Sequence, residues 1–338
     1  MLFSRLRPLA IIPLLALTAF PPSVSWAQEV GASARPEVNP MRRVPEARAK
    51  QDPDAGDRVF GGKEAEKGQW PFQVALLTAD RLDESPASQP NAQFCGGSLI
   101  APQWVLTAAH CLSDQGAAMS PEGVVILSEA TDLGEGKRYK VTEVIVHEGY
   151  SEMTLANDIG LLKLAEPATA PAIRIALSPT EDKGSTTVIG WGMMEDGTFP
   201  NALMQADLDL VPNAACNAGI KEIYARDLSY ALRELSTRMR YSDAAVSEAT
   251  AAISKYMTDP LTGNMMCAGT ATGQRDACNG DSGGPLFVQG SDGPLQVGIV
   301  SWGEGPFDAN AACGHKNAYG VYTRLSNYAD WIKSKTGM

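Results

Sequence analysis

The sequence predicts an all-β fold, a barrel or a sandwich, interrupted by an α-helical hairpin and closed by a C-terminal helix. Three observations predict it. Past residue 70, short β-prone runs alternate with Gly, Pro, Asn and Asp turns. A long helical period of apolar residues appears between Cys216 and Cys267. The cysteines number six, an even count, and follow an export-type leader.

The leader comes first. Arg5 and Arg7 precede an apolar run from Leu9 to Phe20, which Pro21 and Pro22 break. Ser25-Trp26-Ala27 then offers small residues at the −3 and −1 positions of a cleavage site. Residues 1–27 therefore read as a signal peptide, and the mature protein as secreted or periplasmic. The alternative is an uncleaved anchor, but the run falls short of the roughly 20 residues that span a bilayer. No later segment is apolar enough, so no membrane association is expected once the signal is removed. Residues 28–58 are rich in Ala, Pro, Glu and Arg without apolar periodicity, which predicts a mobile segment outside the core. It ends at Arg58, before Val59-Phe60-Gly61-Gly62.

The β-prone runs are 72–77, 98–107, 124–127, 140–147, 159–164, 186–191, 206–211, 285–288, 296–302 and 320–323. In the out-of-character stretch, Ile220, Tyr224, Leu228, Leu232, Leu235 and Met239 recur at helical spacing. A second helix starts near Asp243, with Val246, Ala249, Ile253 and Tyr256 on one face. These stripes are expected to pack on each other and on the β core. The last helix, Ser326 to Lys335, presents Tyr328, Trp331 and Ile332 on one side. The 338 residues carry a net charge of −11, which leaves no basic surface for nucleic acid.

Export implies an oxidising compartment. Cys95, Cys111, Cys216, Cys267, Cys278 and Cys313 lack CxxC spacing, and only three histidines accompany them. Three disulfides are thus a better reading than structural zinc, although six cysteines allow fifteen pairings.

Gly280-Asp281-Ser282-Gly283-Gly284-Pro285 is the most informative string. A serine hydroxyl is a weak nucleophile and needs a base and an oxyanion hole. Glycines around it let successive N–H groups converge, here those of Gly280 and Ser282. The string also fits the G-x-S-x-G elbow of esterases. In that fold, however, the acid and the histidine follow the serine. The base candidate is His110, which ends an apolar strand and precedes Cys111; Cys95, sixteen residues earlier, is the natural partner to hold that backbone. The acid candidate is Asp158, just before the apolar run Ile159–Leu164. A carboxylate there is partly buried and needs donors, which the His110 imidazole can supply. Taken singly, each residue has a structural explanation: a Gly-rich turn, a structural histidine, a strand-start aspartate.

Taken together, the strings change that. From Val59 to about Lys335 the chain resembles the chymotrypsin/trypsin family. VFGG after a basic residue, CGGSLI, WVLTAAHC, NDIGLLKL, GWG, GDSGGP, SWG and GVYTR occur in order. The resemblance implies two six-stranded antiparallel β-barrels with a triad between them. Ser282 is then the nucleophile, His110 its general base and Asp158 the orienting carboxylate. It further implies disulfides Cys95–Cys111, Cys216–Cys267 and Cys278–Cys313. Arg58-Val59 becomes the activation site of residues 28–58, and the freed Val59 amine pairs with Asp281. Asp276 and Ala277 form the base of a primary pocket for arginine or lysine, Gly303 and Gly320 its walls, and Ser301-Trp302-Gly303 the edge that binds substrate as an added strand.

The peptidase domain is thus expected over 59–338, with a helical insertion at about 217–263. The expected function is a secreted serine endopeptidase made as a zymogen, acting as a monomer on polypeptides without cofactor or metal. The insertion carries Arg226, Arg233, Arg238 and Arg240 on an acidic protein. Those arginines are either a solvated face or an exosite for a protein partner. The competing functions are a catalytically inactive binding relative and an esterase on another fold.

Overall fold

A computed structural model describes residues 40–51, 62–114, 116–180, 183–305, 313–315, 317 and 319–338. The leader and the Arg58-Val59 bond lie outside the described residues.

Six strands close the first barrel: β1 (Gln73–Thr78), β2 (Gln93–Ala101), β3 (Trp104–Thr107), β4 (Val124–Ser128), β5 (Lys137–Val146) and β6 (Gly160–Leu164). They run in the order β1-β2-β3-β6-β5-β4, back to β1, and every pairing is antiparallel. The second set is β7 (Ser185–Gly190), β8 (Met204–Val211), β9 (Met265–Gly269), β10 (Pro285–Gly290), β11 (Gly293–Trp302) and β12 (Gly320–Arg324). Its order β8-β7-β10-β11-β12-β9 is closed by the β9–β8 pairing. Closure removes the exposed edges that β-rich runs would otherwise offer to other chains.

The expected run 98–107 resolves into a hairpin, because Pro102-Gln103 turns the chain between β2 and β3. In β2 the register slips: Leu76 pairs with Cys95 but Leu77 with Gln93, so Phe94 is an extra residue. Such a bulge re-aims neighbouring side chains, and Gln93 here reaches the carbonyl of Gly280 at 2.9 Å. Much of the core is one cluster that crosses between the barrels. Phe287 of β10 meets Phe72 and Trp70 edge-on at 5.6 and 4.8 Å. Helix α4 (Ala329–Thr336) follows β12 but docks near the first barrel's 147–148 corner, where Trp331 stacks on His147 and donates to Glu148.

Two expectations are corrected. Part of the 28–58 segment is ordered: α1 (Pro40–Arg48) buries Val44, Pro45 and Arg48. With so few buried residues in nine, it leaves no periodic signature. The helical insertion is α2 (Asn213–Met239) and α3 (Asp243–Ser254), as expected in type. Its stripes, however, are only partly buried. Cys216, Ile220 and Ile223 are covered, and so is Val246, but Leu235, Met239, Ile253 and Tyr256 are exposed. The two helices pack on each other, and the root of α2 packs on the strand Met265–Gly269.

Candidate active site

Three segments meet where the barrels touch. His110 sits on a single 3-10 turn, Ala109–Cys111, directly after β3. The Cys95–Cys111 disulfide ties that turn to β2. Asp158 precedes β6 and is fully buried. One oxygen accepts the His110 backbone N–H at 2.9 Å, and the other accepts His110 Nδ1 at 2.8 Å. Ser301 donates to that second oxygen at 2.5 Å. Thr323 holds the Asp158 carbonyl at 2.6 Å.

A buried carboxylate this well supplied stays ionised. Burial pushes Asp158 up, but the His110 charge and the hydrogen bonds from His110 and Ser301 outweigh it, leaving the group below its ordinary value. In the neutral imidazole, an Nδ1–H donated to Asp158 leaves the lone pair on Nε2. The hydroxyl of Tyr150 lies near the same charge and, with burial, is pushed far up, so it stays neutral.

Ser282 lies on a tight loop pinned from both sides. Its carbonyl accepts Gly96 N–H of the first barrel at 2.8 Å, and Gly283 N–H donates to Val300 of the second at 2.8 Å. Only glycine fits at 283. Its φ is +82°, and a Cβ would stand 2.1 Å from Thr107 Oγ1. The Ser282 carbonyl is also 3.5 Å from Cys111 Sγ, which puts the serine beside the histidine turn. Ser282 Oγ and His110 Nε2 are not hydrogen-bonded here. Such contacts are often long without substrate.

Asp281 points the other way, into a cleft lined by Ile189, Gly190, Gly192, Met193, Gln205 and others. Gly192 N–H donates to it at 2.7 Å and Cys278 N–H at 2.9 Å. Burial pushes its carboxyl up to about 6 against those donors and the charge of Arg48.

Asp276, six residues before Ser282, lines the same cleft as Asp281. It accepts Ala277 N–H at 2.8 Å and Gly314 N–H at 3.3 Å, the latter held close by the Cys278–Cys313 disulfide. Burial pushes it up to about 7. Gly320 lies against it: a Cβ there would come within 2.6 Å of Asp276 Oδ1 and 3.2 Å of the Tyr322 hydroxyl. Gly303 faces open space. The Cys216–Cys267 disulfide anchors the root of α2, and Tyr319 and Trp302 pack against Cys216, Ile220 and Leu261. Tyr224 of α2 donates to Glu304 at 2.8 Å, beside Gly303. The helical insertion therefore buttresses the wall of this pocket.

Cys95, His110 and Cys111 gather their potential metal-ligating atoms within 4.8 Å. Both sulfurs are in the disulfide and have no thiolate to offer a metal. Sequence reasoning missed Thr323, Tyr150, Gln93 and the Ser301 hydroxyl. The partners of Thr323, Gln93 and Ser301 are more than a hundred residues away, and no local pattern marks Tyr150 eight residues before Asp158.

Two barrels thus meet at a buried carboxylate–histidine pair beside the Ser282 loop. Residues 59–332 match the family model described as Trypsin. Transmembrane protease serine 11C of Mus musculus is 33% identical over 84% of this chain and 54% of its own length. Vitamin K-dependent protein C of Oryctolagus cuniculus is 33% identical over 82% of this chain and 52% of its own length. Coagulation factor XI of Bos taurus is 31% identical over 82% of this chain and 38% of its own length. The chain belongs to the trypsin family. It spans about half the length of several curated relatives that it matches.

Proposed function

We propose that this protein is a serine endopeptidase that cuts polypeptides after arginine or lysine through an acyl-enzyme. The observation that carries the reading is the buried Asp158 bonded twice to His110, beside the Ser282 loop. In this reading His110 Nε2 takes the Ser282 proton as Oγ attacks the scissile carbonyl. Asp158 keeps the imidazole in the required tautomer and stabilises the imidazolium, which then protonates the leaving amine. The N–H groups of Gly280 and Ser282 receive the oxyanion, a contribution of about 10²–10³ in rate per donor in comparable sites. Asp276, with Ala277 beside it, meets the cationic side chain between Gly303 and Gly320, while the Ser301–Gly303 edge pairs with the substrate backbone.

Activation is part of the proposal. Residues 1–27 act as signal peptide and 28–58 as activation segment of the 59–338 peptidase, which is exported. Cleavage at Arg58 frees Val59, whose ammonium enters the cleft beside Asp281. The reach supports this: Lys63 and Glu64 pair with Gln205 and Met204 of the cleft wall, and four residues from Val59 to Lys63 span at most about 14 Å. A protein partner at the outer half of the insertion, and action as a monomer, complete the proposal.

One assay separates the readings. The processed protein and its Ser282→Ala variant are given arginyl, phenylalanyl and ester reporters. The arginyl peptide is expected to be cut, with the variant at least about 10⁴-fold slower. Equal rates for both proteins on the arginyl peptide overturn the proposal in favour of an inactive binding relative, and turnover confined to the ester favours an esterase.

A further inference from the structure

Helix α1 lies on the body of the protein at a place that matters for the reaction. It packs on the strand Gln93–Ala101 and approaches the Ala109–Cys111 turn that carries His110. Val44 joins the core cluster, and its Cγ1 is 3.5 Å from where a side chain on Gly280 would begin. Arg48 is nearly inaccessible, at 3% exposure. Its guanidinium donates to the Gln93 amide oxygen at 3.0 Å, to the Pro200 carbonyl at 3.2 Å and to the Trp191 carbonyl at 2.5 Å. It also lies 4.8 Å from the centre of the Phe199 ring. Gln93 passes the connection on, donating to the Gly280 carbonyl at 2.9 Å. Just beyond the helix, Gln51 accepts Phe199 N–H at 2.8 Å and donates to its carbonyl at 3.1 Å.

Buried arginine is rare because desolvation is expensive unless geometry compensates. Here three acceptors, an aromatic face and the charge of Asp281 converge on one guanidinium. Burial pulls it down to about 9 while Asp281 raises it, so it is still charged at neutral pH. Together these contacts make a receptor for this side chain.

The location follows from the chemistry. The imidazolium must deliver its proton to the leaving amine, so the departing chain runs past the His110 turn and Gly280, away from the Asp276 pocket. That is the side α1 covers. We propose that the groove formed by Gln93, the Cys95–Cys111 bridge, Trp191, Phe199 and Gly280 is a peptide-binding site. Its occupant is the chain's own 40–51 segment, latched by Arg48, which blocks the leaving-group side of the cleft. The inference rests on reading the site as a peptidase cleft, and it adds a second restraint to the activation step.

The test uses the full chain cut at Arg58 and separated from its N-terminal piece, with a fluorescent synthetic peptide of residues 38–58. Anisotropy is expected to show saturable binding. Arg48→Gln or Val44→Asp in the peptide weakens it at least tenfold, whereas Glu46→Gln, on the exposed face, does not. The peptide is expected to inhibit a reporter that extends several residues beyond the cut arginine, and to affect a small arginyl anilide far less. No binding, equal binding of the Arg48→Gln peptide, or equal inhibition of both reporters overturns the proposal. Because anisotropy reads binding without turnover, failure of the latch is distinguished from failure of the proposed activity.

Discussion

Asp158 is a buried carboxylate and Asp276 a half-buried one, and their surroundings set them to different tasks. Asp158 is held below its ordinary value by His110 and Ser301 and keeps its charge. Asp276 has two backbone donors and no cation among its causes of shift, and burial, with the neighbouring Asp281 carboxylate, carries it up to about 7. In the proposed pocket that has a consequence for pH. A bound cation stabilises the charged carboxylate and so lowers its pKa. Below about pH 7 the empty site is protonated, and binding must remove that proton. The inhibition constant of benzamidine, a cation at all these pH values, is therefore expected to rise about tenfold per unit as pH falls below 7. Asp276→Ser should abolish both the tight binding and the slope, along with cleavage after arginine and lysine. A flat profile with the native protein, or retained arginyl cleavage in the variant, tells against Asp276 as the pocket base.

The elements divide by how their residues are held. Most strands were legible in the sequence because they carry their own turn signals and β-prone residues, as in Gly160–Leu164 or Gly320–Arg324, but Met265–Gly269 was not among the expected runs and closure into two barrels came from the resemblance. The strings GDSGG, AAHC and NDI, which the fold brings together, were legible too, since each is local. The Gln93 bulge and the Thr323–Asp158 contact were not, because they depend on register and on distant chain segments. Helix α1 was hidden for a further reason: a polar segment whose anchors are one valine and one arginine looks solvated until its receptor is known. The insertion misled in the opposite direction, since much of its apolar stripes stays exposed even where the two helices pack on each other. Tyr230, Leu235, Met239, Tyr241 and Tyr256 are exposed there, and its root supports Tyr319 and Trp302. Deletion of 219–262 would therefore disturb the pocket wall as well. Replacing 226–256 with a short Gly-Ser turn keeps Cys216, Ile220, Ile223 and Leu261. If the outer half is an exosite, kcat/KM is expected to fall for a protein substrate while that for a small arginyl peptide changes less than about twofold. An equal loss for both would assign the whole insertion a structural role.

At the scale of the molecule, the proposed activation concerns a cleft and a chain end. Asp281 already points toward the cleft wall and is supplied by Gly192 and Cys278, but its carboxyl is up at about 6. An ammonium arriving there lowers it and fixes the loop that carries Gly280 and Ser282. Burying such a pair is poor evidence of added stability; its value is as a switch. Arg58→Gln is expected to leave an uncut precursor with activity reduced by orders of magnitude, measured on the arginyl reporter after exposure to a trypsin-like activator. Full activity of that uncut variant would remove the switch from the account.

The disulfides give this arrangement one more property. All six cysteines lie between residues 95 and 313 and are paired with each other, so no covalent bridge joins helix α1 to the barrels. While the chain is intact, the helix faces its groove at the high local concentration a short tether provides, of millimolar order. After the cut at Arg58, that advantage is gone and occupancy follows mass action. A dilute extracellular fluid would empty the groove, whereas a crowded compartment that retained the fragment would keep it filled. Where the enzyme is cut would then matter as much as whether it is cut.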